Sequence, residues 1–134
     1  MAKAAARFGD NSMMARLLGR EGDNILIEWQ NALRRAWTDA TSGHYMSAIH
    51  ILEDMVERTR GLTGSGIDNL LPKTYGLLGT VYYLAGHRDT GRTYTVQAKE
   101  YCERIGDAEG IEVYSTHLRN IDADIGSQDL RHML

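Results

Sequence analysis

The chain has 134 residues and a net charge of −3, with 15 lysines and arginines against 18 aspartates and glutamates. This length indicates one domain, and the near balance of charge excludes a general attraction to nucleic acid or to an anionic membrane. The single cysteine, Cys102, excludes an internal disulfide and is typical of a reducing compartment. Because no apolar run is long enough for a signal peptide or a membrane span, we expect a cytoplasmic protein.

The composition favours an all-α protein. Only one proline and one phenylalanine are present, so little in the chain interrupts helices. The 14 glycines are many for a helical protein, but half of them stand where apolar segments of helical periodicity end. These punctuating glycines are Gly43, Gly61, Gly64, Gly66, Gly86, Gly106 and Gly126.

Apolar residues recur at intervals of three and four in five segments, which predict five main helices. The first begins after Asp23 or Asn24, either of which is a suitable N-cap. The third takes Pro72 in its first turn, where the missing amide costs little. The glycine-rich connection over 61–66 is the predicted flexible segment. The predicted helices cover approximately residues 25–41, 45–60, 68–85, 89–105 and 108–125.

The beginning of the chain has a weaker helical pattern than the rest. We interpret residues 1–20 as an N-terminal extension that is partly flexible, with a candidate helix over 12–18. Residues 21–134 then form a single helical domain. After Gly126, residues 127–134 are sufficient for one or two further helical turns.

The most informative motif is Tyr75-x-x-Leu78-Gly79-x-x-Tyr82, followed four residues later by Gly86. Its three large residues recur at intervals of three and four, so they share one face of a helix. Gly79 has no side chain, which lets a neighbouring helix approach closely. Gly86 is then expected to end the helix in a left-handed cap. The motif therefore predicts a tightly packed helical hairpin.

An internal repeat accompanies this motif. Gly43-His44 recurs as Gly86-His87, and Gly126 has the corresponding place in a third copy, so the spacings are 43 and 40 residues. Small residues also correspond: Ala36 matches Gly79 in the first helix of each copy, and Ala48 matches Gly91 in the second helix. A third copy with only a stub of its second helix is typical of a terminal repeat.

The region from about residue 25 to residue 126 resembles the tetratricopeptide repeat family, whose opening signature has a tryptophan where Tyr75 stands here. The linker Arg104-Ile105-Gly106-Asp107-Ala108-Glu109-Gly110 is similar to that of the longer-period, kinesin-light-chain-like type. The resemblance implies an all-α, right-handed helical-hairpin solenoid of about two and a half repeats. In that type of linker Asp107 would cap the fifth helix.

The resemblance also implies a binding surface, because family members bind peptides or protein segments in a concave groove lined by the first helix of each hairpin. The family's two-carboxylate clamp is absent, since Leu33 with Trp37 and Gly76 with Thr80 occupy its positions, and we do not expect a chaperone C-terminal tail as the ligand. Carried over by position, the groove residues are Gln30, Leu33, Arg34, Trp37, Lys73, Gly76, Leu77, Thr80, Tyr83, His117 and Asn120.

Two tryptophans lie eight residues apart, which places them on one face of the first helix. We expect Trp29 to be part of the core. Trp37 stands near Arg34, and the sequence leaves open whether it is a core residue or a platform for a ligand.

No residues of the chain form a recognisable catalytic or metal-binding motif. A P-loop, a nucleophile elbow, a dinucleotide turn and a zinc-protease motif are all missing from the sequence. His50 and Asp54 are four residues apart and could both bind one metal ion, but a salt-linked surface pair accounts for them as well. Cys102 lies on the inward stripe of its helix, where we expect a buried, inert thiol. We therefore predict a protein that is not an enzyme and has no metal or other cofactor.

These observations favour a non-catalytic interaction module that binds a peptide or protein segment, with no nucleic acid or membrane as partner. The alternative is a regulatory or assembly subunit that oligomerises through its C-terminal helices. That alternative rests on apolar residues which an unfinished last repeat would leave partly exposed. They are Ile121, Leu130, Met133 and Leu134.

Overall fold

The computed structural model describes the backbone of residues 13–123 and the side chains of residues 25–123. The chain divides into two compact units, Met1–Gln30 and Asn31–Leu134. The described residues contain no strand, so the predicted all-α class is confirmed. None of their helices has the length and apolar character needed to cross a bilayer. The helices are α1 (Met13–Thr41), α2 (Tyr45–Arg58), α3 (Ser65–Leu84), α4 (Arg88–Ile105) and α5 (Ala108–Ala123).

Helix α1 is longer than predicted. It begins at Met13, so the prediction of an N-cap at Asp23 or Asn24 is wrong. The candidate helix expected over 12–18 is, from Met13 onwards, the start of this same helix. A helix continues through isolated glycines at a cost of about 1 kcal/mol each, and the segment contains no proline to end it.

Helix α3 also begins earlier than predicted, at Ser65, where Gly64 precedes it with a φ of 127°. Pro72 therefore lies inside the helix and not in its first turn, which corrects the prediction. The added residues are 65–67, and Ile67 among them is buried, which stabilises the earlier start. Because Ile67 directly follows the glycine-rich stretch over 61–66, the composition of that stretch conceals its apolar contact.

The repeated Gly-His pairs make the same helix-ending hydrogen bonds. Gly43 donates its amide to the carbonyl of Ala40, and His44 donates to Asp39. One hairpin later, the amide of Gly86 donates to the carbonyl of Tyr83 at 3.0 Å and that of His87 to the carbonyl of Tyr82 at 2.8 Å. Both glycines have a positive φ, 85° and 95°, as this type of helix end requires. The predicted left-handed cap at Gly86 is thus confirmed.

The other predicted helix ends are close to the observed ones. Helix α2 stops two residues before the predicted end, and α4 and α5 begin within one residue of theirs. Asp107 caps α5, since its carboxylate accepts the amide of Gly110 at 3.0 Å. The predicted stub over 127–134 lies outside the described residues.

Helices α3 and α4 cross at two glycines. A Cβ atom on Gly79 would lie 2.8 Å from the carbonyl oxygen of Gly91, and one on Gly91 would lie 2.6 Å from that of Gly79. Neither position therefore has space for a side chain. The close approach predicted from Gly79 and the small residue predicted at Gly91 are confirmed.

Around this crossing the apolar residues form one main core cluster from α1, α2 and α3. The small residues predicted at Ala36 and Ala48 belong to it, and both are fully buried. Trp29, in the N-terminal unit, is also fully buried, as expected of a core residue. The main cluster consists of Ala36, Ala40, Ala48, Ile49, Leu52, Leu78 and Val81.

A group of tyrosines joins α2 to the α3–α4 hairpin. The rings of Tyr75 and Tyr82 stack on Tyr94 from α4, with centroids 6.1 and 5.6 Å apart. Tyr82 and Tyr94 both donate their hydroxyl groups to the carboxylate of Glu53, at 2.6 and 3.3 Å. Partial burial and the hydrogen bond to Glu53 raise the pKa of Tyr82 to about 12. This polar contact fixes α2 against both helices of the hairpin.

Candidate ligand-binding cleft

In the C-terminal unit, the last part of α1 and helices α3 and α5 border an open cleft of about 440 Å³. This volume is within the range of sites that bind ligands in other proteins, which is roughly 300–1,000 Å³. We refer to it as the α1–α3–α5 cleft. It is lined by Leu33, Arg34, Trp37, Lys73, Gly76, Leu77, Val113, Tyr114 and His117.

The floor of the cleft depends on Gly76. A Cβ atom at this position would meet the ring of Tyr114, whose hydroxyl oxygen would be only 3.0 Å away. The absence of a side chain therefore lets the tyrosine ring lie against the backbone of α3. Tyr114 also makes an edge-on contact with His117, with the ring centroids 5.7 Å apart. Burial raises the pKa of Tyr114 to about 12, so its phenol is protonated at neutral pH.

The walls of the cleft are apolar and partly open to solvent. Trp37 exposes 46% of its surface and Val113 exposes 42%, which is a large fraction for such side chains. Leu33 and Leu77 also line the cleft and are half-buried. Large apolar side chains that gather at one open surface are typical of an interaction site. The question about Trp37 is thus answered in part, because it is not a core residue.

The charged residues of the cleft all have one sign. Arg34 and Lys73 are exposed cations, and none of the nine lining residues is a carboxylate. The guanidinium of Arg34 donates to the side-chain oxygen of Asn31 at 2.8 Å, which orients it along α1. A chain with a net charge of −3 therefore presents a cationic cleft.

The structure brings seven of the eleven predicted groove residues together in this cleft. Thr80 and Tyr83 are instead buried, with 1% and 8% of their surfaces exposed. They lie further along α3, which packs against α2, α4 and α5, so that the second half of the helix has little open surface. The seven residues are Leu33, Arg34, Trp37, Lys73, Gly76, Leu77 and His117.

Two further predicted groove residues lie elsewhere on the surface. Gln30 is exposed and is the last residue of the N-terminal unit, whereas Asn120 is half-buried on α5. Val113 and Tyr114 line the cleft but were not expected there. A helical interval of four residues from His117 leads back to Val113, so the sequence did contain that signal.

A second cavity of about 210 Å³ lies next to the cleft and shares Lys73, Val113 and Tyr114 with it. We call this the carboxylate cavity, because three of its lining residues are acidic. Besides the three residues shared with the cleft, it is lined by Asp68, Asn69, Pro72, Cys102, Asp107, Glu109 and Gly110.

Cys102 lines the carboxylate cavity and is buried, with 1% of its surface exposed. Burial raises the pKa of its thiol, and the carboxylate of Asp107 raises it further. A thiol with a raised pKa is a weak nucleophile at neutral pH. The expected buried position is confirmed, and in the part of the chain that the structure describes, no three histidine, cysteine, aspartate or glutamate side chains are placed to hold a metal ion.

Comparisons of the chain with protein-family models, with curated proteins and with solved structures found no match. The resemblance to tetratricopeptide repeats therefore stays a hypothesis that rests on the motif and the repeat.

Proposed function

We propose that the protein is a non-catalytic interaction module that binds a peptide or protein segment in the α1–α3–α5 cleft. One observation supports this most directly. The exposed apolar side chains of Trp37 and Val113 stand beside the exposed cations Arg34 and Lys73, in a single cleft formed by three helices. Tryptophan and arginine are the residues most enriched among those that dominate binding energy at protein interfaces.

We further propose that the five helices belong to a right-handed helical-hairpin solenoid of the tetratricopeptide type, with about two and a half repeats. Three features support this architecture. Consecutive helices pack on each other from α2 to α5. The Gly-His helix ends recur with the same hydrogen bonds in successive hairpins. The crossing of α3 and α4 at Gly79 and Gly91 is the close contact that the family motif implies.

The chemistry of the cleft favours binding over catalysis. Its groups that can gain or lose a proton are Arg34, Lys73, Tyr114 and His117. The raised pKa of Tyr114 makes its phenol a poor general base at neutral pH. No serine, threonine or cysteine lines the cleft beside the histidine, so the arrangement offers it no nucleophile to activate.

Self-association through the C-terminal helices has less support. Ile121, which was expected at an open apolar end, is fully buried against Tyr83 and Leu84. That part of the expectation is wrong, because the second half of α3 already covers this end of α5. The other residues on which the alternative rested, Leu130, Met133 and Leu134, lie outside the described residues.

A displayed library of random peptides tests the proposal. Peptides enriched on the intact protein are measured again on Trp37→Ala, on Lys73→Glu and on Met46→Ala. Met46 is the control, since it is an exposed apolar residue on α2 and does not line the cleft. We expect the first two variants to lose most of the binding and the third to retain it. Enriched peptides that bind all three variants equally would contradict the proposed site.

A further inference from the structure

The α1–α3–α5 cleft and the carboxylate cavity are adjacent parts of the surface, because they share Lys73, Val113 and Tyr114. The sign of the charge changes along this surface. Arg34 lies in the cleft on α1, Lys73 lines both the cleft and the cavity, and no acidic residue lines the cleft. Three acidic side chains line the cavity.

We infer that the occupant of this surface is a bipolar segment of a partner protein. Its acidic part lies between Arg34 and Lys73, an apolar residue rests on Trp37 and Val113, and its basic part lies over the carboxylate cavity. This inference rests on the proposed function and specifies the partner and its orientation. Charge complementarity of this kind fixes the register of a bound segment and rejects the reversed placement by repulsion between like charges.

The acidic residues differ in how they are engaged within the chain. Asp68 accepts the hydroxyl of Tyr101 at 2.6 Å, and Asp107 caps α5. A carboxylate has about four acceptor positions, so one such bond leaves it able to receive a partner's ammonium or guanidinium group. Glu109 is exposed on the first turn of α5. Glu109 is therefore the residue whose substitution tests this end with the least disturbance of the fold.

Five synthetic peptides with a central leucine provide the probe. One is neutral, one has glutamates on both sides, and one has lysines on both sides. The other two are bipolar, with glutamates on one side and lysines on the other, and they differ in chain direction because the direction of the bound backbone is open. Binding is measured by fluorescence anisotropy at low and at high salt, since screening weakens contacts between exposed charges.

We expect the better bipolar peptide to bind about tenfold more tightly than the neutral one at low salt, through several ion pairs that each contribute a factor of about two to five. High salt should remove this advantage. If the neutral and bipolar peptides bind equally and both lose affinity in Trp37→Ala, the inference is overturned while the proposed function stands. If no peptide binds although displayed peptides do, the inference is overturned as well.

A charge exchange separates recognition from a general loss of structure. In Glu109→Lys the bipolar peptide should bind about three- to fivefold more weakly, and the peptide with glutamates on both sides should gain affinity. Arg34→Glu should have the opposite preference, favouring the peptide with lysines on both sides. Circular dichroism verifies that both variants remain helical. Equal losses for every peptide in both variants would overturn the inference, because they would indicate damage to the fold and not a change in selectivity.

Discussion

Two glycines on α3, three residues apart, face two different kinds of neighbour. At Gly79 an added Cβ would meet backbone atoms of α4, namely the carbonyl of Gly91 and the amide of Thr95. At Gly76 the three nearest atoms would all belong to the outer part of the Tyr114 side chain. Backbone atoms in a packed hairpin cannot move without shifting a helix, whereas the far end of a side chain can move by rotation about its own bonds. The first region is thus a contact between two backbones, and the second is a contact between a backbone and a side chain.

The largest expected effect concerns the crossing. Gly79→Leu should lower the free energy of unfolding by at least about 3 kcal/mol, because it overpacks a contact between two backbones. Gly91→Ala should have a related but smaller effect, since its Cβ would lie 2.9 Å from the amide nitrogen of Tyr83. Urea unfolding followed by circular dichroism measures both. A neutral Gly79→Leu would show that α3 and α4 do not approach as described.

The next effect concerns the link between α2 and the same hairpin. Glu53→Ala removes the acceptor of two tyrosine hydroxyl groups, at Tyr82 and Tyr94. We expect a loss of about 1–3 kcal/mol in the free energy of unfolding. Asp54→Ala is the matched control, because Asp54 makes only an exposed ion pair with Arg58 at 3.6 Å. If the two variants lose the same small amount, the carboxylate of Glu53 does not connect these helices.

A smaller effect is expected from Gly76→Ala, the substitution to compare with Gly79→Leu. Alanine favours a helix by about 1 kcal/mol over glycine, and this gain offsets the cost of displacing the Tyr114 ring. The free energy of unfolding should therefore change by less than about 1 kcal/mol. The pKa of Tyr114 should fall from about 12 towards 10 as the ring moves into solvent. Spectrophotometric titration of the tyrosines records this shift, and a loss of stability as large as that of Gly79→Leu would remove the distinction between the two regions.

The raised pKa of Tyr114 also predicts a dependence on pH. It is about 12 in the folded protein against 10.0 for an unperturbed tyrosine. Because the folded state holds the proton more tightly, this group stabilises the fold below pH 10, and its contribution is lost as the pH rises from about 10 to about 12. Tyr114→Phe should flatten that part of the stability curve, measured by urea unfolding at several pH values. An unchanged slope would mean that the phenol is as hydrated in the folded state as in the unfolded state.

The smallest effects on stability belong to the exposed residues of the cleft. Trp37→Ala and Lys73→Glu should leave the helical signal and the melting temperature nearly unchanged, because surface substitutions usually alter stability by at most about 0.5 kcal/mol. Both should still weaken binding of an enriched peptide. Should Trp37→Ala unfold the protein, Trp37 would be a structural residue and the cleft would need to be redefined.

Much of the fold was predictable from local patterns. The Gly-His pairs, the cap at Asp107 and the small residues at Gly79 and Gly91 all depend on interactions over a few residues or across one hairpin. The starts of α1 and α3 were not predicted. For α1 a possible N-cap at Asp23 or Asn24 suggested a later start, but the helix continues through it. For α3 the glycines before residue 67 suggested a later start, but burial of Ile67 outweighs their unfavourable helix propensity.

The site was predictable only where the periodicity of one helix decides it. Lys73 and Leu77 are four residues apart and both reach the cleft, as expected. Thr80 and Tyr83 continue the same helix but are buried, because the packing of α4 and α5 along α3 closes the groove there. That limit depends on how three helices meet, and the spacing of residues within one helix carries no information about it.

Photocrosslinking from two positions tests the central claim most directly. A photoreactive amino acid replaces Val113 in one variant and Met46 in the other, two exposed apolar residues of which only Val113 lines the cleft. An enriched peptide from the displayed library should crosslink from position 113 and not from position 46, and excess unlabelled peptide should suppress the product. Equal crosslinking from both positions, or none from position 113 by a peptide that binds, would contradict the assignment of this cleft as the binding surface.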